Sequence, residues 1–175
     1  MVTVGHSNRA LREFLALLRA HRIRLVADVR KVRGSRAMPQ FGERRLRAAL
    51  AQAQIGYVAI PELAGRRGKS AHPSPRPCWR NPGFRNYADH MCTAEFREGI
   101  RKLLAAARRA RTAVMCAEAV PWRCHRSLVA DYLVVEKKRR VDELVGDRAR
   151  PHRLTVCARA DRGRLTYDLP RHARD

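Results

Sequence analysis

The chain has 175 residues, 45% of them hydrophobic, with 38 Lys and Arg against 16 Asp and Glu for a formal net charge of +22. That length and apolar content argue against a disordered chain and suit one domain with a real core. No apolar run approaches the ~20 residues of a membrane span, and the start MVTVGHSNR lacks a signal peptide's basic opening and long apolar middle. A cytoplasmic protein without membrane attachment is expected.

Such a charge points to polyanions. Its make-up qualifies that reading, because lysine occurs only at 31, 69, 102, 137 and 138 and the remainder is arginine. Coding bias in a GC-rich genome produces that pattern, yet the charge still implies non-specific, salt-sensitive affinity for nucleic acid. The five cysteines, at 78, 92, 116, 124 and 157, are odd in number, irregular in spacing and free of any CxxC pair. Neither a disulfide framework nor a zinc ribbon is expected from them.

In chain order, Val2–Val4 reads as a strand ending at Gly5-His6-Ser7-Asn8. A helix with Leu11, Phe14, Leu15, Leu17 and Leu18 inward follows, capped by Ser7 or Asn8. Leu25–Arg30 is a second strand, then a basic loop with Gly34, Ser35 and Pro39, a helix over Glu43–Gln54 ended by Gly56, and a strand at Tyr57–Ile60. A long loop rich in proline runs from Pro61 to Pro82, a length that points to function or mobility. Short and long helices are expected at Phe84–Met91 and, capped by Thr93, Ala94–Arg109. Thr112–Cys116 is a buried strand and Cys124–Glu136 the helix packed on it. A short strand at Val141–Val145 and a hairpin of Leu154–Ala158 with Arg164–Leu169 around Asp161-Arg162-Gly163 close the pattern. The expected fold is α/β: one three-layer domain over residues 1–170, with a mostly parallel sheet, helices on both faces and a C-terminal β-hairpin. Residues 171–175 read as a frayed tail.

In such a sheet the ligand crevice lies beyond the carboxyl ends of the strands. There the sequence sets His6 and Ser7, Asp28 and Arg30, Glu62, and Cys116 with Glu118, whereas the helix ends carry nothing comparable. The turn from Cys116 to Arg126 is the densest in chemistry, with Cys116, Glu118, Arg123, Cys124, His125 and Arg126 in eleven residues. Cys124, near a helix N-terminus and beside Arg123, His125 and Arg126, is the expected thiolate nucleophile. The plain alternative for both thiols is that of small buried hydrophobes. Glu118 and His125 read as an acid/base pair, with a Glu118 salt bridge to Arg30 or Arg126, and His125 as a cap, as the structural alternatives. Asp28 either orients a ligand hydroxyl or holds Arg30. Helix N–H groups with Arg30, Arg123 and Arg126 suit an oxyanion, and Arg66, Arg67, Arg80, Trp79, Asn81 and Tyr87 on the long loop suit a base and its phosphate. Metal ligation by His6, Cys116, Cys124 or His125 is disfavoured, since adjacent Cys124 and His125 rarely both reach one ion from a helix.

These motifs carry a resemblance. Val4–Asn8, Asp28-Val29-Arg30, Pro61-Glu62-Leu63 with Gly65-Arg66-Arg67, Trp79-Arg80-Asn81 with Phe84-Arg85 and Tyr87-Ala88, Met115–Glu118 through Cys124-His125-Arg126, and Pro151–Thr155 together resemble the domain-of-unknown-function family 488. The resemblance implies a single cytoplasmic α/β domain and brings no reaction, substrate or cofactor. Asp28-Val29-Arg30 is also similar to a tripeptide of rhodanese-type sulfurtransferases, although the cysteine loop differs. The reading is therefore an enzyme, a thiol-dependent transferase or hydrolase, acting on a small anionic ligand such as a nucleotide. The rivals are a nucleic-acid-binding module without catalysis and a metal-dependent enzyme at the same turn.

Overall fold

In the computed structural model, residues 1–34 and 36–169 are described; Ser35 and the expected tail lie outside them. Five parallel strands form the sheet: β1 (Val2–Gly5), β2 (Leu25–Asp28), β3 (Gly56–Ala59), β4 (Thr112–Cys116) and β5 (Asp142–Val145). A sixth, β6 (Arg148–Pro151), joins antiparallel to β5, and the order across the sheet is β3-β2-β4-β1-β5-β6. The helices are α1 (Leu11–Ala20), α2 (Glu43–Gln52), α3 (Pro82–His90), α4 (Ala94–Arg109) and α5 (Arg126–Val135). A separate hairpin pairs β7 (Arg159–Asp161) with β8 (Arg164–Thr166).

The period-2 alternation of a strand divides the core into two layers. From β4, Ala113 and Met115 face Phe14, Leu17 and Leu18 of α1 and Leu46 and Leu50 of α2. Val114 and Cys116 face the other way, toward Tyr87 of α3, Phe96, Ile100 and Leu103 of α4, and Leu128 and Val129 of α5. Being central, β4 is buried at all five positions, which is why it reads as an unbroken apolar run.

Several local expectations are corrected. Neither Ser7 nor Asn8 caps α1; the helix opens at Ala10, whose N–H is taken by the Glu13 carboxylate at 3.1 Å. Asn81, accepting from the Gly83 and Phe84 N–H groups, starts α3 at Pro82, and Thr93 does cap α4, accepting from Phe96 N–H at 3.2 Å. α2 stops at Gln52, short of Gly56, and α5 begins at Arg126, two residues after Cys124. Residues 154–158 form no strand, while basic, proline-ended β6 does. Contrary to the cysteine count, Cys78 and Cys157 form a disulfide, 79 residues apart in sequence and with Cα atoms 5.7 Å apart, tying the long loop to the C-terminal segment.

That segment is also held by a buried polar clasp. Asp131 sits inside the apolar run of α5 with a side chain 0% exposed. It accepts from His152 Nε2 at 2.9 Å, Thr155 N at 3.0 Å and Oγ1 at 2.6 Å, and Tyr167 Oη at 2.9 Å, while His152 Nδ1 pairs with Glu143 at 2.7 Å. Burial opposes the imidazolium, but Asp131 and Glu143 together outweigh it and raise His152 to about 9 from 6.5. A folded-state pKa above the unfolded value gives stability that is complete below pH 6.5 and is lost as pH rises through about 9. Urea unfolding across that range should show this fall, and His152→Gln should flatten it while costing about 3 kcal/mol, because buried Asp131 loses its cation.

Candidate active site: two thiols and an imidazole at the end of β4

Beyond the carboxyl end of β4 the chain leaves the sheet at Cys116, passes through a 3₁₀ turn at Pro121–Arg123, and re-enters as α5. Arg126, in the first turn of α5 and fully buried, holds this connection by donating to the carbonyls of Glu118 and of Ala119, the latter at 2.9 Å. From the other side, β1 presses on it at Gly5. A Cβ there would stand 1.8 Å from the Glu118 carbonyl oxygen, so no larger residue fits.

The held turn brings together Cys116, Cys124 and His125. His125 Nδ1 lies 3.7 Å from Cys124 Sγ and 4.0 Å from Cys116 Sγ, and the three atoms are mutually within 4.8 Å. The adjacent Cys124 and His125 meet at one point because they do not share a helix. Cys124 is extended (φ −134°, ψ 139°), whereas His125 is helical (φ −54°, ψ −21°), and the change of backbone turns both side chains inward. The obstacle expected for joint ligation is thereby removed.

His125 is oriented by its surroundings. Its Nε2–H donates to the Val29 carbonyl at 3.2 Å, leaving Nδ1 toward the sulfurs. Its ring packs against Tyr87, with centroids 4.9 Å apart. Gly65 backs it so closely that a Cβ there would stand 2.5 Å from Nδ1.

The sulfurs are not equivalent. The neighbouring Cys124 thiol, helped by His125 and the Glu118 backbone and opposed by burial, holds the Cys116 thiol below its ordinary range. Cys116 beside it and then burial push Cys124 up. Of the pair, Cys116 at the strand end is the thiol held low and Cys124 the one held high.

The remaining residues of the expected crevice divide between the two faces of the sheet. Asp28 and Arg30 lie on the α1/α2 side with His6. Arg30 is bound to Asp28 through Nε and Nη2, the latter at 2.7 Å, and to the Phe41 carbonyl at 2.9 Å. Tyr57 donates to Asp28 at 2.9 Å, a partner with no signal in the sequence beyond its position on β3. His6 stacks on Phe41 and donates from Nδ1 to the Ser7 carbonyl at 2.8 Å, leaving Nε2 as acceptor for Arg30 at 3.3 Å. Burial, then the Arg30 charge, lowers its pKa and keeps it neutral. The Ser7 hydroxyl donates to Asn8 Oδ1 at 3.2 Å, and its backbone N–H to the Ala117 carbonyl at 2.9 Å.

Arg30 is engaged by Asp28 and the Phe41 carbonyl, and Arg126 by two loop carbonyls through Nη1 and Nη2, its buried Nε having no partner among the described residues; Glu118 makes no salt bridge with either. Its carboxylate accepts from Val120 N–H at 3.4 Å. Glu62 pairs with Lys102, and Arg67 is spent on the Ala64, Pro61 and Glu62 carbonyls and on Glu95. Arg66, Arg80 and Arg123 remain exposed. Trp79 is partly buried and stacks on Phe84, with centroids 4.7 Å apart.

A mostly parallel sheet covered on both faces is the α/β architecture in which ligand crevices lie beyond the carboxyl ends of the strands. The chain belongs to the family described as domain of unknown function DUF488, whose model matches residues 10–133 and so spans the whole Cys116–Arg126 turn. The Val4–Asn8 and Pro151–Thr155 stretches lie outside that match. No curated protein and no solved structure matches the chain.

Gly65→Ala tests the packing behind His125. The methyl group should displace the ring, move the pH dependence of Cys116 alkylation upward and cost about 1–3 kcal/mol in urea unfolding.

Proposed function

We propose that the protein is a thiol-dependent transferase or hydrolase acting on a small anionic substrate, with Cys116 as nucleophile. The observation that carries this reading is the convergence of Cys116, Cys124 and His125 beyond the end of β4, with the imidazole Nδ1 within 4.0 Å of both sulfurs. Cys116 attacks as the thiolate, its proton having passed to His125 Nδ1, and its sulfur bonds to the electrophilic centre as the bond to the leaving group breaks. His125 returns the proton to that group, with Glu118 as the second proton carrier. A second acceptor, water in a hydrolase, then displaces the enzyme sulfur. Arg66, next to Gly65, and Arg123, next to Cys124, are the uncommitted cations for the anion, in place of Arg30 and Arg126. The working location is the cytoplasm, where Cys92, Cys116 and Cys124 stay reduced; the Cys78–Cys157 bridge is shielded there, Cys157 being 5% exposed.

A second reading rests on the same donor atoms. Two sulfurs and one imidazole nitrogen within 4.8 Å of one another form a set that zinc accepts, with a fourth position left for water or substrate. The Val29 carbonyl on the far nitrogen of His125 is the outer partner a ligating histidine usually has.

One experiment separates the readings: pH-dependent alkylation of the native protein, followed by mass spectrometry for each cysteine, with zinc measured on the same sample. Exposed Cys92, whose thiol is pushed up by burial and Asp89, is the internal reference. Cys116 should alkylate at a pH well below that needed for Cys92, and Cys124→Ala should shift it upward. Stoichiometric zinc protecting both thiols would favour the second reading, and inert thiols without metal would leave them as packing residues.

A further inference from the structure

A second feature stands apart from the thiols. Between the 3₁₀ turn of Pro121–Arg123 and the segment after β6 lies a groove of about 790 Å³, lined among others by Trp79, Trp122, Arg150, Arg153, Leu154 and Val156. Its walls are unusual for a free surface. Trp122 is 63% exposed and Val156 93% exposed, so large apolar faces stand open to water. The Trp79 Nε1–H is buried with no hydrogen-bond partner among the described residues. Arg150 and Arg153 are exposed, and among the described residues neither pairs with a carboxylate. The acid in the lining, Glu143, is engaged by His152 at 2.7 Å.

We infer that this groove binds single-stranded nucleic acid, with an unpaired base stacked on Trp122 and backbone phosphates on Arg150 and Arg153. The chemistry of the walls selects the occupant. An open indole face offers a base a stacking surface, which a duplex cannot use because its base faces are already covered. Unpaired guanidiniums supply the charge complementarity, and the net charge of +22 draws a polyanion from solution. An apolar peptide would leave both arginines unmatched. Trp122 lies between Cys116 and Cys124 in the chain, so the groove opens on the same turn as the thiols; the binding itself needs no thiol chemistry.

The test is fluorescence anisotropy of labelled 12-nucleotide oligo-dT and oligo-U, alongside a 12-base-pair duplex, titrated with the full chain from 50 to 200 mM salt. Binding should favour the single strands and quench tryptophan fluorescence. Trp122→Ala should weaken it about tenfold. Arg150→Glu with Arg153→Glu should lower the slope of log Kd against log salt by about 1.4. Arg44→Glu with Arg45→Glu, exposed on α2 beyond the opposite edge of the sheet, should leave the tenfold tryptophan effect in place. Circular dichroism checks that each variant is folded. The proposal is overturned by equal affinity for duplex, by a silent Trp122→Ala, by loss with the α2 pair equal to that with the groove pair (bulk charge alone), or by full competition from poly-glutamate. The difference between oligo-dT and oligo-U reports whether the strand is DNA or RNA.

Discussion

A buried cation that pairs with no carboxylate among the described residues organises the turn after β4. Arg126 is sealed at the start of α5, and what solvates its guanidinium is backbone, the carbonyls of Glu118 and Ala119. A charge in that position cannot tolerate the loss of its acceptors, because an uncompensated buried ion costs several kcal/mol. The loop must therefore curl around it. Gly5 closes the same carbonyl from the sheet side. With residues 118 and 119 clamped between an arginine and a strand, the relative position of Cys116 and Cys124 is settled by groups that perform no chemistry. The arginine directly after the cysteine–histidine pair thus serves as scaffold of the turn through two of its nitrogens.

The pleat of the sheet explains why residues at the same edge do not form one site. Successive side chains point to opposite faces, so β1 and β2 deliver His6, Asp28 and Arg30 to the α1/α2 layer and β4 delivers Cys116 to the α3/α4/α5 layer. The Asp28–Arg30–His6–Tyr57 network is saturated and neutralises its own charges. Its link to the thiol cluster is through backbone, since the carbonyl of Val29, between Asp28 and Arg30, accepts the His125 proton. Asp28-Val29-Arg30 thus acts on both layers at once: two side chains lock one face while the peptide between them orients the imidazole on the other.

Much of this was readable from the sequence, for physical reasons that differ by element. Strands β1 to β4 and helix α4 follow from apolar runs and 3.6-residue spacing, and the turn at 116–126 stood out by residue type alone. The convergence of Cys124 with His125 was not readable, because it depends on a change of backbone conformation between neighbours. The carboxylate of Asp131 inside an apolar helix was a usable signal, since a buried acid demands partners, but His152 and Tyr167 lie 21 and 36 residues away in the chain. Strand β6 was hidden by its arginines and proline, and it exists because an edge strand tolerates both. The Cys78–Cys157 bridge joins residues from two irregular segments whose approach no local pattern encodes.

That bridge gives the chain a covalent topology as well as a fold. It closes a ring whose perimeter contains α3, α4, β4, both site thiols, α5, β5 and β6, while β1, β2 and β3 hang outside it as a tail. Two of the sheet's central neighbours, β1 and β4, therefore belong to different parts of this lasso. A single backbone break within the ring leaves one molecule with two new ends, held together through sulfur, whereas a break in the tail releases a free fragment. The groups that make up the thiol site are divided in the same way: Cys116, Cys124 and His125 travel with the ring, and Val29 and Gly65, which orient the imidazole, travel with the tail.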